Sequence, residues 1–189
     1  MTKRLTELAH EAVRASVRPG DIAVDATAGN GHDTRFLAEI VGASGHVFAL
    51  DIQPEALTRT AAAVRRSDTV TLIRRDHAEL RAALPARALG RVAAVMFNLG
   101  YLPGSDRHIV TRAESTLPAV RDALEVIRPG GVVTILAYAG HPGGAEESES
   151  VASFLKSLPD GPFRVTELTE PKRRNPPRLF VVHKAAVPG

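Results

Sequence analysis

The chain has no cysteine and no tryptophan. The first absence excludes disulfides, thiolate metal sites and a cysteine nucleophile. The second, with aromatic residues at 4% of the total, excludes a broad stacking platform for single-stranded nucleic acid. No apolar run reaches the roughly 18 residues that a membrane span needs. The mixed, charged stretch from Met1 to His10 carries no signal-peptide pattern. The expectation is a cytoplasmic protein with no membrane partner. His32, His77, His108 and His141 show none of the short repeated spacing of a zinc site, so no metal is expected. Lysine is scarce too: the 24 basic residues comprise 20 Arg and 4 Lys. Arginine suits phosphate because its planar fork can hold two oxygens at once.

What is present is a globular composition. The 189 residues are 44% hydrophobic and 24% charged, with a formal net charge of +3. This fits one domain over residues 1–189 with a core of its own. Short apolar runs alternate with helical periodicity. Strands are expected at 22–26, 46–50, 70–73, 92–97, 132–138, 163–169 and 178–184. Helices are expected at 4–17, 32–41, 54–66, 76–84, 114–128 and 145–158, with Pro129-Gly130-Gly131 ending the fifth. The alternation predicts an α/β fold, a doubly wound and mostly parallel seven-stranded sheet. The short basic link between the last two runs predicts a hairpin, hence one antiparallel strand near the C-terminus.

Asp25-Ala-Thr-Ala-Gly-Asn-Gly31 lies between the first strand and a helix. Its glycines let the backbone turn sharply and approach a ligand. Asp51 ends the second strand, where a carboxylate can accept both ribose hydroxyls of an adenosine. A dinucleotide and S-adenosylmethionine both fit this outline. The third glycine of a dinucleotide loop is missing, since Thr34 stands in its slot, and Asp33 in the first helical turn would repel a pyrophosphate. A cationic, phosphate-free cofactor suits that carboxylate better, so S-adenosylmethionine is expected.

The chain resembles class I S-adenosylmethionine-dependent methyltransferases with a Rossmann-like sheet. More narrowly, it resembles the putative rRNA methylase family, now assigned as tRNA 5-aminomethyl-2-thiouridine methyltransferases. The resemblance rests on Asp25 to Thr34, Asp51-Ile-Gln53, Met96 to Gly104, Gly140-His-Pro-Gly-Gly144 and Asn175-Pro-Pro177. It implies a cofactor site formed by Asp25, Gly29, Asn30, Gly31, Asp33, Thr34, Asp51, Gln53, Asp76 and His77. Within it, Asn30, Asp33 and Thr34 would hold the methionine end, Asp51 and Gln53 the ribose and adenine side. Asp76 and His77 would lie beside the adenine, although Asp76 also reads as a helix cap. Asn98-Leu-Gly-Tyr101 resembles the Asn-Pro-Pro-Tyr motif of amino-group methyltransferases. That assigns Asn98 and Tyr101 to the acceptor amine. His141 is a candidate for chemistry or for bracing its loop; Asp106 and His108 are further candidate bases.

The resemblance implies a tRNA partner, met at the anticodon stem-loop and methylated at the wobble uridine. Candidate RNA contacts are Arg74, Arg75, Lys172, Arg173, Arg174 and Arg178, with Tyr101 or Tyr138 stacking on a splayed base. A homodimer is left open.

Overall fold

The structure is a computed structural model and describes residues 3–65, 67–104, 108–170 and 175–186. A single sheet runs through it in the order β3-β2-β1-β4-β5-β7-β6. Its strands are β1 (Ile22–Asp25), β2 (His46–Asp51), β3 (Val70–Arg74), β4 (Val92–Leu99), β5 (Ile127–Ala137), β6 (Phe163–Thr169) and β7 (Arg178–Lys184). The first five pair in parallel, and β7 runs antiparallel to both β5 and β6. The expected hairpin is therefore present.

Among the described residues six α-helices cover the two faces: α1 (Leu5–Ser16), α2 (His32–Val41), α3 (Pro54–Ala63), α4 (Leu80–Ala83), α5 (Ala113–Val126) and α6 (Gly144–Lys156). Alternate residues of a strand point to opposite faces, and β4 shows the division. Val95, Phe97 and Leu99 join the core beneath α4, α5 and α6, with Val120, Leu124, Val151 and Leu155. Ala94 and Met96 join the core beneath α1 and α2, with Val13, Phe36, Leu37 and Val41. Burial on both faces explains why these strands read as unbroken apolar runs.

Two elements depart from the sequence reading. The 76–84 segment is not one helix but a short 3-10 turn at His77–Glu79 followed by the single turn of α4. Asp76 caps it, its Oδ1 accepting from the Ala78 N–H at 2.9 Å. Secondly, α5 stops at Val126, and β5 begins directly at Ile127, so Pro129-Gly130-Gly131 lies within the strand. Arg128 precedes a proline, a position that disfavours helical backbone. The register jumps there from Val92↔Ile127 to Ala94↔Val132, so residues 128–131 form an outward excursion. Arg128 pins it, donating to the Ser16 carbonyl and to Asp21 Oδ2, each at 3.1 Å.

The chain reverses its direction of winding between β1 and β4, which are neighbours in the sheet. Crevices for ligands form at such switch points, beyond the carboxyl ends of the strands.

Candidate active site at the carboxyl edge of the sheet

A cleft of about 760 Å³ opens at this switch point. The loops after β1, β2, β3, β4 and β5 line it, together with Asn175 and Pro177 from the β6–β7 connection. Of the residues predicted for the cofactor, Gly29, Asn30, Asp33, Asp51, Gln53, Asp76 and His77 face this cleft. Asn98, Tyr101, Tyr138, His141 and Arg75 face it as well.

The glycine loop is shaped by its backbone. Gly31 has φ +78°, and a Cβ there would lie 2.8 Å from Ala63 Cβ and Thr60 Cα of α3. Only glycine lets α2 start this close to α3. Asp51 is tied into the same loop. Its Oδ2 accepts from the Gly29 N–H at 3.0 Å and its Oδ1 from the Gln53 N–H at 2.9 Å. The carboxylate is thus held in one orientation with lone pairs left over for a diol. Ile52, beside it, is exposed by 46% and lines the cleft, an apolar surface for a flat ring. Sequence reading passed over Ile52; the signal was a large apolar residue directly after the ribose-type carboxylate.

Asp25, Gly31 and Thr34 are placed behind the loop rather than on the cleft surface. Asp25 is wholly buried, bonded to the Thr27 N–H at 3.1 Å and to the Thr34 hydroxyl at 2.6 Å. Asp25, Gly31 and Thr34 therefore shape the loop from beneath, a correction to their reading as cofactor contacts. Burial and the nearby Asp33 charge push the Asp25 carboxyl up to about 7.

At the end of β4 the Asn98 main-chain N–H donates to Thr27 Oγ1 at 2.8 Å. Its side-chain Nδ2 donates to Asp33 Oδ2 at 2.6 Å. The other oxygen of Asp33 meets His10 Nε2 of α1 at 2.7 Å. His10 carries no motif, and sequence reading missed it. The chain has two tyrosines, Tyr101 and Tyr138, and both rings line the cleft at about two-fifths exposure. Burial, then the charges of Asp33 and Glu170, raise the Tyr138 phenol above its ordinary value and keep it a hydroxyl.

His77 lines the cleft after β3 and is largely buried, its Nε2 near Ser115 Oγ at 3.2 Å and Thr116 Oγ1 at 3.4 Å. Burial lowers its pKa, opposed by Asp76 and Asp51, so the neutral ring is favoured. His141 is a brace in this geometry. Its Nδ1 lies 3.2 Å from the Pro142 carbonyl, and its Nε2 is buried without a hydrogen-bond partner among the described residues. Gly144 leaves room for that ring, since a Cβ would approach His141 Nε2 to 2.7 Å. With Nε2 buried, this geometry supports the bracing alternative for His141. Asp106 lies outside the described residues.

The basic candidates divide. Arg75 lines the cleft but pairs with Glu79 at 2.7 Å. Arg74 does not line the cleft; its Nε donates to the Ile52 carbonyl at 3.5 Å. Arg178 is a correction: it pairs with Glu149 at 2.9 Å and Glu167 at 2.8 Å and does not line the cleft, so its charge is already satisfied. Lys172, Arg173 and Arg174 lie outside the described residues. Among the described residues no group of three or more acidic, histidine or cysteine side chains could hold a metal. No described helix is long and apolar enough to cross a membrane.

Arg59 of α3 joins the two sides of the cleft. It donates to Asn30 Oδ1 at 3.1 Å and to the carbonyls of Pro103 and Gly104 at 3.0 and 3.1 Å. Asn30 is left with its Nδ2 protons for a ligand.

The strand order, the switch-point cleft and the carboxylate ending β2 define a Rossmann-like fold of the methyltransferase type, and solved structures agree. The "putative rRNA-methylase" of Clostridium thermocellum superposes with a TM-score of 0.91 at 39% identity, over 97% of this chain and 99% of that one. A "putative methyltransferase" of Streptococcus mutans, solved in complex with SAH, gives 0.86 at 32% identity, over 97% and 99%. The family model described as "Putative rRNA methylase" matches residues 47–184, and the chain belongs to that family. It is also 38% identical over 168 residues to the chloroplastic tRNA (mnm(5)s(2)U34)-methyltransferase of Arabidopsis thaliana. That match covers 83% of this chain and 61% of the plant protein, so the chain spans about six tenths of that relative's length.

Proposed function

We propose that the protein is an S-adenosylmethionine-dependent methyltransferase acting on tRNA. In the finer form of this reading it methylates the exocyclic amine of 5-aminomethyl-2-thiouridine at the wobble position, giving 5-methylaminomethyl-2-thiouridine. The observation that carries the proposal is the orientation of Asn98 at the end of β4. Its amide nitrogen is committed to Asp33, so its Oδ1 is the end left to accept an N–H in the cleft that also holds Asp51. The plant relative's name supports the choice of substrate.

The residues fit the cofactor. Asp51 presents a fixed carboxylate to a ribose diol, and Ile52 offers a face to adenine. Asp76 keeps its Oδ2 for an exocyclic amine while its Oδ1 caps Ala78. Asn30 Nδ2 would hold the cofactor's carboxylate and Asp33 its ammonium. When bound, S-adenosylmethionine supplies an electrophilic methyl on a cationic sulfur.

The chain's task is to present a neutral amine in line with that methyl. An alkyl amine has a reference pKa near 10.4, and a cleft that strips its water favours the neutral form. Asn98 Oδ1 accepts one N–H and thereby aims the nitrogen lone pair. Tyr101 and Tyr138 offer faces for one splayed base, which is all that a single flipped nucleotide needs. Positioning of this kind supplies much of a rate enhancement without a dedicated base.

The test is nucleoside mass spectrometry of tRNA lacking the modification, before and after incubation with the protein and S-adenosylmethionine. The expected result is conversion of 5-aminomethyl-2-thiouridine to its N-methyl derivative. Unchanged tRNA overturns the proposal. The family description favours ribosomal RNA as a second substrate class, and methyl incorporation into rRNA in a parallel incubation distinguishes it.

A further inference from the structure

We propose that His10 is a positioning residue for methyl transfer, acting through Asp33 to hold Asn98 with its amide oxygen toward the acceptor. The inference rests on the methyltransferase reading above and deepens it. The methylase-like motifs begin at Asp25, and α1 lies before all of them. Its buried residues Leu5, Ala9 and Val13 dock on the face of the sheet shared with α2. Docking brings His10 of α1 within reach of Asp33, the partner of Asn98 at the end of β4.

The His10 ring is fixed by stacking. It lies flat on Phe36 of α2, with ring centroids 3.7 Å apart and an interplanar angle of 5°. Arg14, one turn on, lies over the same Phe36 ring at 4.7 Å. With its plane set, His10 places Nε2 at 2.7 Å from Asp33 Oδ1. The second oxygen of Asp33 takes the Asn98 Nδ2 proton at 2.6 Å.

The chemistry of the donors gives this chain its direction. An ionised carboxylate only accepts, so the Asn98 amide must turn its nitrogen to Asp33 and its oxygen away. A carboxylate held at one oxygen can pivot about its last torsion; held at both it cannot. His10 supplies the second tether, and the Thr27 hydroxyl fixes the Asn98 backbone. Each oxygen of Asp33 keeps a further lone pair, so an ammonium can share it without breaking the relay.

The test uses the full chain and the variant His10→Phe, which keeps a ring against Phe36 and removes only the hydrogen bond. It is made alone and with Asn98→Ala. Steady-state methylation of tRNA, calorimetry with S-adenosylhomocysteine and thermal denaturation are measured on each. In the wild-type background His10→Phe is expected to lower kcat on the order of 10-fold, the loss of one charge-assisted hydrogen bond. KM for tRNA and Tm stay close to wild type, and the affinity for S-adenosylhomocysteine, whose ammonium shares Asp33, falls by less than kcat does. In the Asn98→Ala background the same change is expected to cost nothing further, because the two residues act in series.

A readout without cofactor or substrate accompanies this. The side-chain amide protons of Asn98, followed by 15N-correlated NMR, are expected to shift toward a free amide in His10→Phe. An unchanged kcat overturns the inference, as does an equal fractional loss in both backgrounds. An Asn98 amide signal that does not move overturns it too. Wild-type protein inactive on tRNA overturns the proposed function instead, and the amide signal still decides the His10 relay.

Discussion

Replacement of Asp25 by asparagine should change how stability depends on pH, and the structure sets the size. Asp25 closes β1 with no exposure to solvent. Burial first, and the charge of Asp33 second, raise its carboxyl from 3.8 to about 7, against the opposing hydrogen bonds from Thr34 and Thr27. The folded state therefore binds this proton more tightly than the unfolded chain. Stability from that proton is fully present below pH 4 and is lost as the pH rises to about 7. A shift of about three units corresponds to about 4 kcal/mol in total, of which about 2–3 kcal/mol falls between pH 5 and pH 8. Asparagine imitates the protonated acid: its Oδ1 can accept from the Thr27 N–H and its Nδ2 can donate to Thr34 Oγ1. The assay is urea unfolding of the cofactor-free protein and of Asp25→Asn at both pH values. Wild type should lose about 2–3 kcal/mol relative to the variant on going from pH 5 to pH 8. Parallel profiles would refute the reasoning, and a relative gain by wild type at pH 8 would reverse its sign.

Gly31→Ala places a Cβ 2.8 Å from α3 at φ +78°; a loss of about 1–3 kcal/mol in unfolding free energy is expected, together with weaker S-adenosylhomocysteine binding by calorimetry. Asn98→Ala should lower kcat by about 100-fold, with S-adenosylhomocysteine affinity largely kept; an equal loss of affinity would move Asn98 from the acceptor to the cofactor. Arg178→Ala should leave tRNA affinity unchanged in a filter-binding assay and cost under about 1 kcal/mol of stability, because its partners are surface carboxylates. Joint replacement of Lys172, Arg173 and Arg174 by alanine should weaken tRNA binding and flatten its salt dependence.

What the sequence made legible follows from local rules. Apolar runs of strand length between amphipathic helices were enough for a doubly wound sheet, because both faces of the central strands are buried. Gly29, Gly31 and Asp51 were legible because a tight turn and a strand-ending carboxylate need particular residue types. The relation of His10 to Asp33 was not, since 23 residues and a helix docking separate them. Nor was the buried place of Asp25, because strand alternation does not say which face of a loop the last residue of β1 will take. The strand through Pro129-Gly130-Gly131 was hidden for a similar reason. Those residues are local stop signals, and only pairing with β4 draws them into the sheet.

That excursion at 128–131 has a meaning for how such chains diverge. It occupies the amino end of β5, as far along the strand as possible from Ala137, whose neighbour Tyr138 meets the cleft. Slack in the length of the polypeptide is taken up at the rim where nothing reacts, and Arg128 ties it down without touching the chemistry. At the opposite rim, hydrogen bonds from Gly29 to Asp51 and from Asn98 to Thr27 tie the loop after β1 to the ends of β2 and β4. The sheet thus has one tolerant margin and one rigid margin. An added residue at the first should be absorbed by the excursion, whereas one at the second would disturb the ties around the cleft.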